Sequence, residues 1–177
     1  MSSTDKTRVQ RKHFANGRLM EEEWFKGDTP HRADGPALQE WHKNGQLKQE
    51  QWIFDGYLHR VGGPALQEWD ENGRLLMERW EQRWWEPQWG TSEKPFDWLQ
   101  GMHRLDGPAV KEFDLDTFEL VREEWRKEGK LHREDGPAYQ WWDEDGNLLK
   151  EEWVKCGHSY TPTGHEQIAW KKRCSNE

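Results

Sequence analysis

The chain lacks any run of about 18 apolar residues, so no membrane-spanning helix is expected. Its first 20 residues hold no apolar stretch of the kind that marks a secretory signal. Cysteine is scarce: only Cys156 and Cys174 occur, with no CxxC pair. Two thiols do not make a disulfide framework, and a reduced, cytoplasmic setting is the expectation. Hydrophobic residues are scarce too. They make up 32% of 177 residues, against 34% charged, and the mean hydropathy is −1.29. This balance excludes a conventional aliphatic core, and so polar a composition ordinarily implies disorder. Basic charge is in deficit, with 26 Lys and Arg against 34 Asp and Glu, a net −8. That disfavours direct nucleic-acid binding, which needs a basic footprint. It suits solubility, or a basic protein partner.

Tryptophan is what the chain has in excess. There are 14, and each can bury about 150–250 Å². Placed in register, they could stand in for many leucines.

They are in register. His31-Arg32-Ala33-Asp34-Gly35-Pro36-Ala37 recurs from His59, from His103 and from His132. Ten residues after each histidine stands an aromatic: Trp41, Trp69, Phe113 and Trp142. Seven residues before three of the histidines stand Trp24, Trp52 and Trp125. For His103 the matching residue is Trp80, 23 residues earlier, so a unit of about 28 residues carries a 16-residue insertion in its third copy. Trp153, Tyr160 and Trp170 continue the spacing in a degenerate last copy, and Asn16-Gly17 matches Asn44-Gly45 and Asn72-Gly73 at the start. Atypical end copies suit capping of a repeat array.

Within a unit the signals are those of strands. Asn-Gly or Asp-Gly between short runs predicts a hairpin with a type I′ turn. The fourth hairpin lacks glycine, is one residue longer, and should turn more widely around Asp116-Thr117. Proline is confined to strand starts and edges, so Ala37, Ala65, Ala109 and Ala138 should open strands. Glycine and proline punctuate every window, and no helical period survives. The predicted fold is all-β: about five antiparallel β-hairpin repeats, some eleven short strands, in a twisted or rolled single-layer sheet. The predicted organisation is a flexible N-terminus (1–8), a repeat domain (9–171) with a Trp-rich insertion at 82–100, and a C-terminal tail (172–177).

The run Lys130-Leu131-His132-Arg133-Glu134-Asp135-Gly136-Pro137-Ala138, with Glu-Trp before it and an aromatic and Asp-Gly after it, resembles MORN-type repeats. The closest form is the long "GKLHRxDGPA" variant of bacteria, phages and giant viruses, of the YwqK-like antitoxin type. The resemblance covers roughly residues 9–170 outside the insertion. It implies a ribbon of hairpins that serves as a scaffold for protein contacts. By extension the partner would be a toxin or host-defence protein, and this chain an antitoxin, immunity protein or phage-encoded inhibitor.

Several residue sets are candidates for function. The insertion holds Arg83, Trp84, Trp85, Trp89, Phe96 and Trp98, none required by the repeat. Tryptophan and arginine dominate binding hot spots, and long loops on rigid scaffolds carry function, so these six are the predicted partner-binding residues. The alternative is that the loop folds back over a sheet edge. Arg32, Arg60, Arg104 and Arg133 would line an anion site, with a nucleotide or phosphate as ligand. Their competing reading is a turn lock, each arginine stacked on a repeat tryptophan or paired with Asp34, Asp106 or Asp135; the second copy has Gly62 instead of that aspartate. The two tryptophan registers are read as core, and Glu22/Glu23, Glu123/Glu124 and Glu151/Glu152 as a solvated strand face. The histidines have no partner at ligand spacing, so no metal or cofactor is expected. No nucleophile motif, P-loop or dinucleotide fingerprint is present, so the protein is read as a non-enzyme. A third reading is an architectural spacer that self-associates through strand edges.

Overall fold

The computed structural model describes residues 6–82 and 101–160. Among the described residues there are 17 strands and no helix, hence none long and apolar enough to cross a membrane. Five hairpins lie side by side: β1 (Thr7–His13) with β2 (Leu19–Lys26), β4 (Leu38–Trp41) with β5 (Leu47–Gln51), β8 (Leu66–Trp69) with β9 (Leu75–Arg79), β10 (Val110–Phe113) with β11 (Leu120–Glu124), and β14 (Tyr139–Trp142) with β15 (Leu148–Glu152). They form one antiparallel meander in chain order, with β1 and β15 as its ends; β3 (Thr29–Pro30) adds to β2 off this path. The all-β hairpin array is therefore as expected.

Smaller hairpins link the large ones: β6 (Ile53–Phe54) with β7 (Tyr57–Leu58), β12 (Arg126–Lys127) with β13 (Lys130–Leu131), and β16 (Val154–Lys155) with β17 (His158–Ser159). Two-residue strands leave no period-2 signal, so the sequence reading had none of them.

The turn types are exchanged relative to expectation. In the large hairpins the glycines Gly17, Gly45, Gly73 and Gly146 have positive φ, while the residues before them do not. The Gly45 N–H donates to His42 O and the His42 N–H to Gln46 O, so an ordinary turn is followed by one left-handed glycine, and the register shifts at Trp41. Asn44 Oδ1 accepts from the Gln46 N–H, which holds the turn from inside. The type I′ turns are in the small hairpins, where both central residues are left-handed: Asp55-Gly56, Glu128-Gly129 and Cys156-Gly157. The fourth large hairpin is wider, as expected, and Phe118 takes the left-handed position that glycine fills elsewhere, at φ 60°. Arg74 covers its ring, with Cζ 3.2 Å from the centroid.

Each motif alanine lies just before a strand and is fully buried. The Ala37 N–H donates to Gln51 O in its own hairpin, and Ala37 O accepts from the Trp24 N–H in the preceding one; Ala65, Ala109 and Ala138 repeat this. Among the described residues the other buried apolar side chains are Phe25, Leu66, Val110 and Val154. The repeat tryptophans are only half-buried, so the expected aromatic core is an aromatic row with one covered face.

Cys156 is disulfide-bonded, a departure from the reduced thiols expected. Cys174, the chain's other cysteine, lies outside the described residues.

Candidate functional site

The four predicted anion-site arginines occupy one repeated setting. Arg32, Arg60, Arg104 and Arg133 lie over Trp24, Trp52, Trp80 and Trp125, with Cζ 4.4, 4.0, 4.1 and 4.0 Å from the ring centroids. Each Nη1 donates to the carbonyl of the motif proline, at 3.2–3.4 Å. Nε donates to Asp34, Asp106 and Asp135 in the three copies that have the aspartate. Arg60 has no such aspartate and keeps only the row carboxylate, Glu50, at 3.6 Å, where Arg104 and Arg133 have both. The motif glycine is present for clearance rather than for backbone freedom, since none of the four has positive φ. A Cβ on Gly35, Gly63, Gly107 or Gly136 would sit 2.7–2.9 Å from the arginine. The guanidinium donors thus point at carbonyls and carboxylates of the chain itself.

The motif histidine ties one copy to the next. His31 Nδ1 accepts from the Asp55 N–H, His103 Nδ1 from the Glu128 N–H, and His132 Nδ1 from the Cys156 N–H, at 3.0, 3.2 and 3.0 Å. The donor is in each case the N–H of the first residue of the next type I′ turn, and accepting requires an unprotonated Nδ1. Asp55 Oδ1 also lies 2.8 Å from His31 Nδ1. One nitrogen cannot both accept the amide and donate to the carboxylate, and the accepting form is the one shared by all three copies. Burial, then Lys127, holds the His132 pKa below its ordinary 6.5.

A single row of side chains crosses the whole sheet beside the tryptophans. In strand order it reads Arg11, Glu22, Gln39, Glu50, Gln67, Glu78, Lys111, Glu123, Gln140, Glu151. Alternating carboxylates sit on the second strand of every hairpin. Glu22, Glu50, Glu123 and Glu151 accept from the Nε1 of the tryptophan two residues on. Glu78 does not. Lys111 replaces the glutamine found elsewhere in the row, and Glu78 turns to Lys111 and Arg104, at 3.3 and 3.4 Å. Trp80 Nε1 is left buried without a partner.

The opposite face also departs from a solvated strand face. Glu124 is 2% exposed and holds both Arg122 and Arg126. Burial acts to raise its carboxyl, but the hydrogen bonds and charge of the two arginines outweigh this and keep it below the ordinary 4.5. Glu81, also buried, is paired with Arg79.

The insertion leaves the scaffold at a defined point. Glu81 bridges Met102, and the Gln82 N–H donates to Gly101 O at 2.9 Å. These pairs match Ile53 with Leu58 and Phe54 with Tyr57. Residues 83–100 therefore stand where the two-residue turn Asp55-Gly56 stands in the preceding unit. The predicted contact residues Arg83, Trp84, Trp85, Trp89, Phe96 and Trp98 lie outside the described residues, as does Trp170. Trp141 is 46% exposed. An open cavity of about 390 Å³ is lined by Phe14, Met20, Trp41 and charged neighbours that include Glu21, Glu40 and Lys48. Among the described residues no group of His, Cys, Asp or Glu is placed to hold a metal ion.

The sequence reading missed the histidine tie and the buried carboxylates. The tie has a sequence signal: each of these histidines precedes an X-Gly turn by 24 or 25 residues. A scan against protein-family models found no match to this chain, and a search of curated proteins found none either.

Proposed function

We propose that the protein is a non-enzymatic binding protein. The repeat ribbon acts as a scaffold, and the Trp-rich insertion, together with the acidic surface, contacts a protein partner. The observation that carries this reading is the placement of the insertion. It replaces one tip turn while the ladder beneath continues through Glu81–Met102 and Gln82–Gly101. A segment with four tryptophans is thereby held at both ends on a rigid frame. A second support is that the repeated arginines lie on the repeated tryptophans and three of the motif histidines accept from backbone N–H groups of the next turn, which argues for a structural role for the motif. By its resemblance to the long MORN-like variant, we infer a toxin or host-defence protein as partner, and an antitoxin, immunity or phage-inhibitor role.

The test is affinity capture from host lysate with the intact chain, followed by the Trp84→Ala/Trp85→Ala/Trp89→Ala variant. The expected result is a specific partner retained by the parent and lost by the variant, with the variant's melting curve unchanged. Equal recovery of that partner by the variant removes the insertion from the role.

A further inference from the structure

Along the edge that carries the small hairpins, the chain departs from its own repeat beside the insertion. This edge alternates hairpin tips with motif loops, and each loop is fastened to the next unit. The Arg32 N–H donates to Ile53 O, Arg60 N–H to Glu81 O, Arg104 N–H to Arg126 O and Arg133 N–H to Val154 O. The loops of Arg60 and Arg104 therefore bracket the insertion. The first meets its base at Glu81, and the second follows its base at Met102.

The third residue of the motif is exposed in every copy: Ala33, Val61, Leu105 and Glu134. It is large and apolar only in the two bracketing loops, where Val61 is 70% and Leu105 78% exposed. The closing pairs of the tips show the same bias. They are Lys26–Thr29, Lys127–Lys130 and Lys155–His158 in three described tips. In the tip just before the insertion the pair is Phe54–Tyr57, and both residues are exposed. The fold does not demand hydrocarbon at these positions, since the other copies take the same backbone with lysine, alanine or glutamate there. Exposed apolar side chains gathered in one place mark a contact surface. Neighbouring units lie two strand spacings apart, about 10 Å, so Phe54, Val61 and Leu105 fall within a single protein footprint.

The border of this patch is acidic. The side chains of Asp34 and Asp106 are largely exposed and that of Asp55 half-exposed. Arg60 and Arg104 beside them are drawn in over Trp52 and Trp80. Lys127 and Lys130 lie beyond Leu105, on the tip to which its loop is fastened.

We propose that Val61 and Leu105, with Phe54, form a fixed apolar part of the partner-binding surface, and that they receive an apolar protein surface bordered by basic side chains. The proposal rests on the reading of the insertion as a partner contact and specifies the partner's chemistry. The apolar residues supply area that leaves water on binding. Asp34, Asp55 and Asp106 attract and orient the basic border.

The test uses the intact chain. The protein it captures from host lysate is identified, purified and titrated against variants in low and high salt. Val61→Ser/Leu105→Ser should weaken binding about tenfold or more. Leu115→Ser, at a comparably exposed leucine in the fourth large turn, should leave it unchanged, and both variants should melt as the parent does. Asp34→Asn/Asp55→Asn/Asp106→Asn should weaken binding severalfold in low salt and flatten its salt dependence. Undiminished binding by the Val61/Leu105 variant overturns the proposal, as does an intact chain that captures no protein. A melting temperature lowered by several degrees in that variant alone would mean that another segment of the chain covers these side chains, and overturns it too. Binding indifferent to salt and to the asparagine variant overturns the basic border. The two readings fail separately. Loss in the Val61/Leu105 variant with full binding by Trp84→Ala/Trp85→Ala/Trp89→Ala keeps this surface and removes the insertion, and the reverse removes this surface.

Discussion

Two regions of the ribbon share one backbone and differ in what fills it. In the outer units the residue after the repeat tryptophan is apolar: Phe25, Ile53 and Val154. In the two units that flank the insertion it is Glu81 and Arg126, paired with Arg79 and Glu124 on the strand before. The alanines, the stacked arginines and the histidine ties are the same in both regions. The fold is therefore specified by the turn motif, and the neighbouring positions can exchange hydrocarbon for ion pairs without a change of register. The centre depends on the completeness of its pairing, whereas the outer units do not.

The sharpest way to break that comparison is Glu124→Ala. It leaves Arg122 and Arg126 facing each other without their shared carboxylate, and the expected loss is about 3–5 kcal/mol in urea unfolding. Replacing Glu124 with Gln and Arg126 with Ile together copies the second unit, and should cost far less or stabilise. Next come Gly35→Ala and Gly107→Ala, one in each region. Each pushes its arginine off the tryptophan and should lose about 1–2 kcal/mol, equally in the two regions; unequal losses would show that the motif does not act alike in both. Lys111→Gln should have the opposite sign. It frees Glu78 to accept from Trp80 Nε1, as in the other units, and should gain about 0.5–1.5 kcal/mol with a shift in tryptophan emission. The smallest effect is expected from pH. The folded His132 pKa lies below 6.5, so its contribution is complete above about pH 6.5 and is lost as the pH falls from there through the folded value. Glu124, also depressed, keeps its contribution down to about pH 4.5 and loses it below. Stability measured against pH should thus fall in two stages, and the Gln/Ile pair should shrink only the lower one, to which Glu22, Asp70, Asp106, Asp114 and Asp143, also held below the usual carboxylate range, still contribute.

The sequence made the count of large hairpins, the wide fourth turn and the size of the insertion legible, because each rests on spacing. Turn type was not legible from Asn-Gly alone. At Asn44-Gly45 the asparagine side chain caps its own turn, and only the glycine goes left-handed. The small hairpins escaped notice because Glu128 and Cys156 are not residues that announce positive φ. Burial of Glu124 was hidden for another reason. Glu123 and Glu124 look alike in sequence, but they point to opposite faces of one strand, and only Glu124 meets two arginines. Of the candidate sites, the four arginines were placed by the motif, and their alternative role as stacked locks could be written down in advance. The insertion contacts could not be placed from spacing, since no repeat governs them.

The hydrogen bond between Gln82 and Gly101 has a consequence for how such chains diversify. With its two ends already fastened, a segment at a hairpin tip can lengthen at a closure cost of only about 0.6 kcal/mol per doubling. The tips at Asp55-Gly56, Glu128-Gly129 and Cys156-Gly157 are fastened by pairing of the same kind. Each is a socket into which an unrelated peptide can be grafted, and a chain of this design can change what it displays without renegotiating how it folds.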